Sequence, residues 1–106
     1  MKYLEAKNLI EEKYELNQIN EKSCEISINK LINPFNFAFV SLIDCGDSCI
    51  LSDMATTVES VQIDEKELKE IAEKCGLVFD DFYIKTDFNS MSDIDKFLNF
   101  FDKISQ

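Results

Sequence analysis

The chain contains no His, no Arg and no Trp, and only two Gly and one Pro. Without His, the commonest general base, the commonest metal ligand and every Ser–His or Cys–His catalytic pair are excluded. Without Arg there is no bidentate reader of phosphate or guanine, and all 11 basic residues are Lys. The two isolated glycines, Gly46 and Gly76, cannot build a phosphate-cradling loop. Ser41 and Ser52 lie outside any G-x-S-x-G context. No apolar run reaches about 18 residues, so no membrane span is expected. The interleaved Glu and Lys of MKYLEAKNLIEEKYELNQ do not read as a signal peptide. Together these absences predict a non-enzymatic protein with no cofactor. Its four Cys are expected as reduced thiols in a cytoplasm.

What is present is a core and a charge. Nine Phe in 106 residues, each able to bury roughly 150–250 Å², predict one folded α+β domain over residues 1–106. Tyr3, Ala6, Ile10 and Tyr14 recur at helical spacing and predict a helix over 3–16. The polar stretch 17–23 reads as loop. Residues 24–32 alternate as a half-buried strand. Residues 35–43 read as a central strand covered on both faces, with Pro34 at its start. Asp44 to Ser48, with Gly46, predicts a hairpin turn leading into a return strand at 49–51. Residues 56–63 fit either a strand or a short helix.

A helix over 65–75 has Asp64 as its N-cap and Gly76 as its left-handed C-terminal cap. Residues 77–79 and 82–86 predict a hairpin turning at Asp80–Asp81. Ser92 is placed as the cap of a last helix that faces the core with Ile94, Phe97, Leu98, Phe101 and Ile104, leaving Phe100 off the stripe. The expected fold is therefore α+β, a small, mainly antiparallel sheet with helices at the N-terminus, middle and C-terminus, in the order α-β-β-β-α-β-β-α. Phe35, Phe37 and Phe39 alternate along one strand face and are expected in the core. Phe88 and Phe100 are the candidates for an interface.

Three clusters have a chemical reading. Cys24, Cys45, Cys49 and Cys75 are four thiols that suit zinc, although only Cys45 and Cys49 are close in sequence. Structural burial is the simpler account of the others. Asp44, Asp47 and Asp53 surround the first turn without the calcium-loop pattern, and turn Asp residues commonly satisfy local backbone donors. Asp80, Asp81 and Asp87 surround the second. No metal site and no catalytic residue is assigned.

The net charge of −10 is unevenly distributed. Between Lys30 and Lys66 there is no cation, while Asp44, Asp47, Asp53, Glu59, Asp64 and Glu65 fall in that stretch. Residues 80–95 add Asp80, Asp81, Asp87, Asp93 and Asp95 against Lys85 alone. Such charge repels nucleic acid and anionic membrane and steers toward basic protein surfaces. It also serves solubility alone.

Ile32-Asn33-Pro34-Phe35, the strand Ala38–Ile43 and the turn Leu51-Ser52-Asp53-Met54 resemble a bacterial and phage family catalogued as domain of unknown function 1828. Leu68–Gly76 and Phe82–Thr86 fit its later part, so the resemblance spans residues 24–105. The chain departs from the family pattern at Asn36-Phe37-Ala38 and at Met54-Ala55. The resemblance implies an α+β fold and a bacterial or mobile-element origin, and it implies no activity.

The sequence thus points to a binding module. Asp44, Asp47, Asp53, Glu59, Asp80, Asp81 and Asp87 would pair with the Lys and Arg of a nucleic-acid-binding protein. A phage- or plasmid-encoded inhibitor of the anti-CRISPR kind, imitating a phosphate backbone, is the concrete form. An immunity protein against a nuclease toxin has the same logic. The alternatives are a Cys/Asp metal-binding protein and an accessory domain that self-associates through Phe97, Phe100 and Phe101 of its last helix.

Overall fold

The chain starts with helix α1 (Tyr3–Glu11), which turns Ala6 and Ile10 inward. It then enters strand β1 (Leu16–Asn20) and strand β2 (Ser23–Ile26). A hairpin of β3 (Leu31–Asn33) and β4 (Asn36–Phe37) forms its own two-stranded sheet. Strands β5 (Val40–Asp44) and β6 (Cys49–Ser52) follow, then the short helix α2 (Thr56–Ser60) and helix α3 (Glu65–Lys74). Strands β7 (Val78–Asp80) and β8 (Tyr83–Asp87) and helix α4 (Ser92–Ile104) complete the fold. This computed structural model describes residues 1–105.

The fold is α+β, with a six-stranded sheet in the order β1-β2-β5-β6-β8-β7 and every pairing antiparallel. Among the described residues no helix is long and apolar enough to cross a membrane.

The register explains which face is buried. Cys24, Leu42 and Leu51 stand side by side across β2, β5 and β6, and all three are fully buried. Side chains alternate along a strand, so the neighbouring row Ile43–Ile50–Asp87 points the other way. Ile43 and Ile50 there are half-buried and Asp87 is exposed.

Helix α4 supplies the largest part of the core. Asp93, Ile94, Phe97, Phe100, Phe101 and Ile104 are all buried. At about 100° per residue they occupy one continuous stripe. Phe97 and Phe101 rings pack at 5.8 Å, and Phe100 and Phe101 at 5.7 Å, both tilted, a geometry worth about 0.5–1.5 kcal/mol beyond burial.

Several expectations change. Residues 16–20 form a strand where the end of a helix, at 16, and a loop, from 17, were expected, because pairing with β2 in the register Leu16↔Ile26 and Gln18↔Cys24 supplies the backbone partners. An edge strand largely exposed on both faces needs no apolar alternation. Helix α1 accordingly stops at Glu11. The expected strand 35–43 is broken, since Pro34–Phe35 is the two-residue turn of the β3–β4 hairpin. Pro at the second turn position and Asn33 at the first suit a type I turn. The aromatic assignment inverts with it: Phe35 is 91% and Phe37 64% exposed, while Phe88 and Phe100 are buried. Phe97, Phe100 and Phe101 lie inside the domain, so these rings offer no exposed surface to a second copy.

Residues 56–60 form a helix rather than a strand. The start of α4 is secured by Asp93 rather than Ser92. Its Oδ2 accepts the N–H groups of Asn89 at 2.8 Å and Ser90 at 3.1 Å.

Gly76 behaves as expected. At φ +83° it lets its own N–H reach Glu73 O and the Leu77 N–H reach Ala72 O, both at 3.0 Å, closing α3 in a Schellman motif.

Substituting Phe100→Ala is expected to cost about 3–5 kcal/mol in urea unfolding. Phe35→Ala should shift stability by no more than about 0.5 kcal/mol. Equal costs in the two variants would contradict this placement of the core.

Candidate functional site

Strand β6 ends at Ser52, opposite Lys85 of β8, and the next residue, Asp53, organises everything beyond it. The Asp53 N–H donates to Ile84 O at 3.0 Å, and Asp53 Oδ1 accepts the Ile84 N–H at 2.9 Å. The same oxygen accepts the Ala55 N–H at 2.9 Å, and Oδ2 accepts the Thr57 N–H at 3.3 Å. Asp53 thus ties β6, the first turn of α2 and β8 together. It is 0% exposed and has no cation beside it among the described residues. Burial pushes its carboxyl pKa up, and the donors of Ile84, Thr57 and Ala55 only partly offset this. Asp93 shows the opposite balance. Burial raises it, but the Asn89 and Ser90 N–H groups and Lys96, at 3.0 Å, hold its pKa below the usual carboxylate range.

The connection after Asp53 is tight. Met54 and Ala55 both take positive φ, 54° and 64°, and the Met54 N–H is held by Ser52 Oγ at 3.0 Å. The facing β7–β8 hairpin turns at Asp81–Phe82, one residue later than the sequence suggested, with φ 49° and 71°. Two positive φ values match the type I′ turn that suits strand twist. For a residue with a side chain, that conformation costs roughly 1–2 kcal/mol.

These two turns bring one group of acids together. Glu59, Asp81, Phe82 and Tyr83 line a shallow groove with Ala55 and Val58. Asp64, Glu65, Asp80 and Asp81 border an adjoining groove of about 690 Å³ with Phe79 and Phe82, and Lys66 and Lys69 of α3 share its rim. Asp80 pairs with Lys85 at 3.2 Å, an exposed pair worth about 0–1 kcal/mol. Met54, Phe82 and Tyr83 are exposed among these acids.

The other expected residues lie elsewhere. Asp44 and Asp47 belong to the β5–β6 turn, where Asp44 Oδ1 accepts the Gly46 N–H at 2.9 Å. Asp87 lies at that same end, opposite Ile50. From Tyr83 to Asp87, β8 separates the two acidic groups by about 13 Å at roughly 3.3 Å per residue. Asp53 departs from its expected role, because a fully buried carboxylate cannot meet a partner. The sequence reading missed Met54, Phe82 and Tyr83. Placing the hairpin turn one residue later would have set Ile84 inward and Tyr83 outward.

The four thiols are free and not gathered: Cys24, Cys49 and Cys75 are buried and Cys45 is exposed. Burial raises the Cys49 pKa. Among the described residues no three His, Cys, Asp or Glu side chains are grouped as metal ligands.

Comparison with protein-family models, curated proteins and solved structures gives no match.

Asp53→Ala leaves three N–H groups, two of them buried, without their acceptor and is expected to cost about 3–4 kcal/mol. Asp53→Asn keeps the Oδ1 acceptor for Ile84 and Ala55 but puts an amide donor in place of Oδ2, so the Thr57 N–H loses its acceptor. Because the folded state holds the Asp53 proton to higher pH than the unfolded chain, its contribution is complete in acid. It is lost as pH rises through the raised pKa. In urea unfolding at several pH values, the stability of wild type relative to Asp53→Asn should therefore fall as pH rises. A flat or rising difference would refute the assignment.

Proposed function

We propose that this chain is a small protein-binding module whose acidic end occupies a basic surface on a nucleic-acid-handling protein. The observation that carries this reading is the convergence of Glu59, Asp80 and Asp81 with exposed Met54, Phe82 and Tyr83 around the β7–β8 turn. Carboxylates alone give steering and salt-sensitive attraction. Aromatic rings among them add the desolvated contacts that anchor an interface.

The net charge of −10 supports a partner whose Lys and Arg otherwise hold phosphates. An inhibitor of a nucleic-acid-handling defence complex, of the anti-CRISPR kind, is the concrete form of this role. Asp44, Asp47 and Asp87 form a second acidic group at the far end of β8, reached only by a partner that extends along the sheet.

The test is affinity capture from source-cell lysate at about 50 mM and about 500 mM salt. A basic nucleic-acid-handling protein should be retained at low salt, released at high salt and displaced by a DNA oligonucleotide. The triple variant Glu59→Gln, Asp80→Asn, Asp81→Asn should retain about tenfold less of it. Absence of any basic partner at low salt, or full retention by the variant, would overturn the reading.

A further inference from the structure

The acidic end does not account for the β3–β4 hairpin. Leu31 and Phe37 stand directly opposite each other and are 48% and 64% exposed. Phe35 projects from the turn between them. Rings of this size can each bury roughly 150–250 Å², and here most of that area faces solvent.

The hairpin that carries them is firmly mounted. Ile32 and Ala38 root it in the core. Asn33 Oδ1 accepts the N–H groups of Phe35 at 2.8 Å and Asn36 at 2.9 Å. Asn33 Nδ2 donates to Ser60 O at the end of α2, and Lys30 pairs with Asp102 of α4. Such a mount lowers the ordering cost of binding.

The Asn33–Ser60 bond also fixes where the hairpin sits. It lies at one end of α2, while Val58 and Glu59 of that same helix line the groove of Phe82 and Tyr83. A five-residue helix is about 7.5 Å long, so Asn33, at the base of the hairpin, is bonded within one helix length of the groove that holds Phe82 and Tyr83, and the exposed acid of α2 is Glu59. The occupant follows from charge. A second copy carries the same −10, and an anionic lipid surface repels it equally. A cationic chain is attracted.

We propose that the β3–β4 hairpin is a second, apolar anchor of the same docking surface, and that its occupant is a cationic, amphipathic segment of another protein. Its apolar side chains cover Phe35 and Phe37 while its Lys or Arg meet Glu59, Asp80 and Asp81. This rests on the acidic-end reading above and narrows the partner from a purely phosphate-binding site to one with an apolar surface beside it.

The test uses two fluorescein-labelled peptides of equal charge, an amphipathic Lys/Leu helix and an oligolysine, followed by fluorescence anisotropy at low salt. The Lys/Leu peptide should bind about tenfold more tightly than oligolysine. Phe35→Ser, Phe37→Ser should abolish that advantage and leave oligolysine binding unchanged. Both rings being exposed, the variant keeps its fold, which circular dichroism verifies. The triple variant Glu59→Gln, Asp80→Asn, Asp81→Asn should weaken both peptides.

If the Lys/Leu advantage survives in the Phe variant, or is absent in wild type while oligolysine binds, the hairpin proposal falls and the acidic-end reading stands. If neither peptide binds, both fall. Self-association in sedimentation that the Phe variant abolishes would make a second copy the occupant and overturn the proposal. Phe35- and Phe37-dependent retention on phosphatidylcholine vesicles would overturn it in favour of lipid.

Discussion

A carboxylate shielded from water and without a neighbouring cation holds the acidic end of this protein in shape. Burying an ionised group uncompensated is costly, and Asp53 partly offsets that cost through donors from three places in the chain. Ile84 fixes β8, Ala55 fixes the strained link after β6, and Thr57 fixes the start of α2. The exposed groups that give this end its character are therefore positioned from below. Glu59 follows from α2, and Phe82 and Tyr83 follow from the hairpin that Ile84 anchors.

The interior and the exterior obey different rules. Inside, α4 gives the core five large apolar side chains in one stripe, backed by Phe88 and by Ala6 and Ile10 of α1. Outside, acids predominate, yet Phe35, Phe37, Phe82 and Tyr83 remain in view. Like charge repels copies of the chain from one another and so opposes association through these rings.

Much of the architecture was legible from the sequence. Helical spacing marked α3 and α4, Gly76 marked the end of α3, and Gly46 marked the β5–β6 turn. Other features depended on tertiary pairing. Nothing in Leu16–Asn20 distinguishes strand from loop until β2 lies beside it. Ile32-Asn33-Pro34-Phe35 contained its own turn chemistry, but the alternation of Phe35, Phe37 and Phe39 outweighed it, and so displayed rings were read as core. Phe100 was misplaced by a narrow reading of a stripe wide enough to include it. Of the acidic residues, Glu59, Asp80 and Asp81 are exposed, Asp81 lining one groove with Glu59 and another with Asp80. Asp53 looked identical in sequence and became an internal strut, because its burial is decided by strand β8, some thirty residues away.

That separation has a kinetic meaning. Three of the sheet's pairings, β1–β2, β5–β6 and β7–β8, are local hairpins that can close within a few residues of chain. The β6–β8 seam joins Ile50 to Asp87 across α2, α3 and β7. The entropy of closing a loop grows with the logarithm of its length, so this seam carries the largest closure cost among the sheet's pairings, the kind of contact that slows folding. Asp53 sits at its edge and bonds to Ile84 with both its backbone and its side chain. The residue that shapes the acidic end is thus also the latch that completes the sheet, and the acidic end takes its final form only when the two parts of the chain have met.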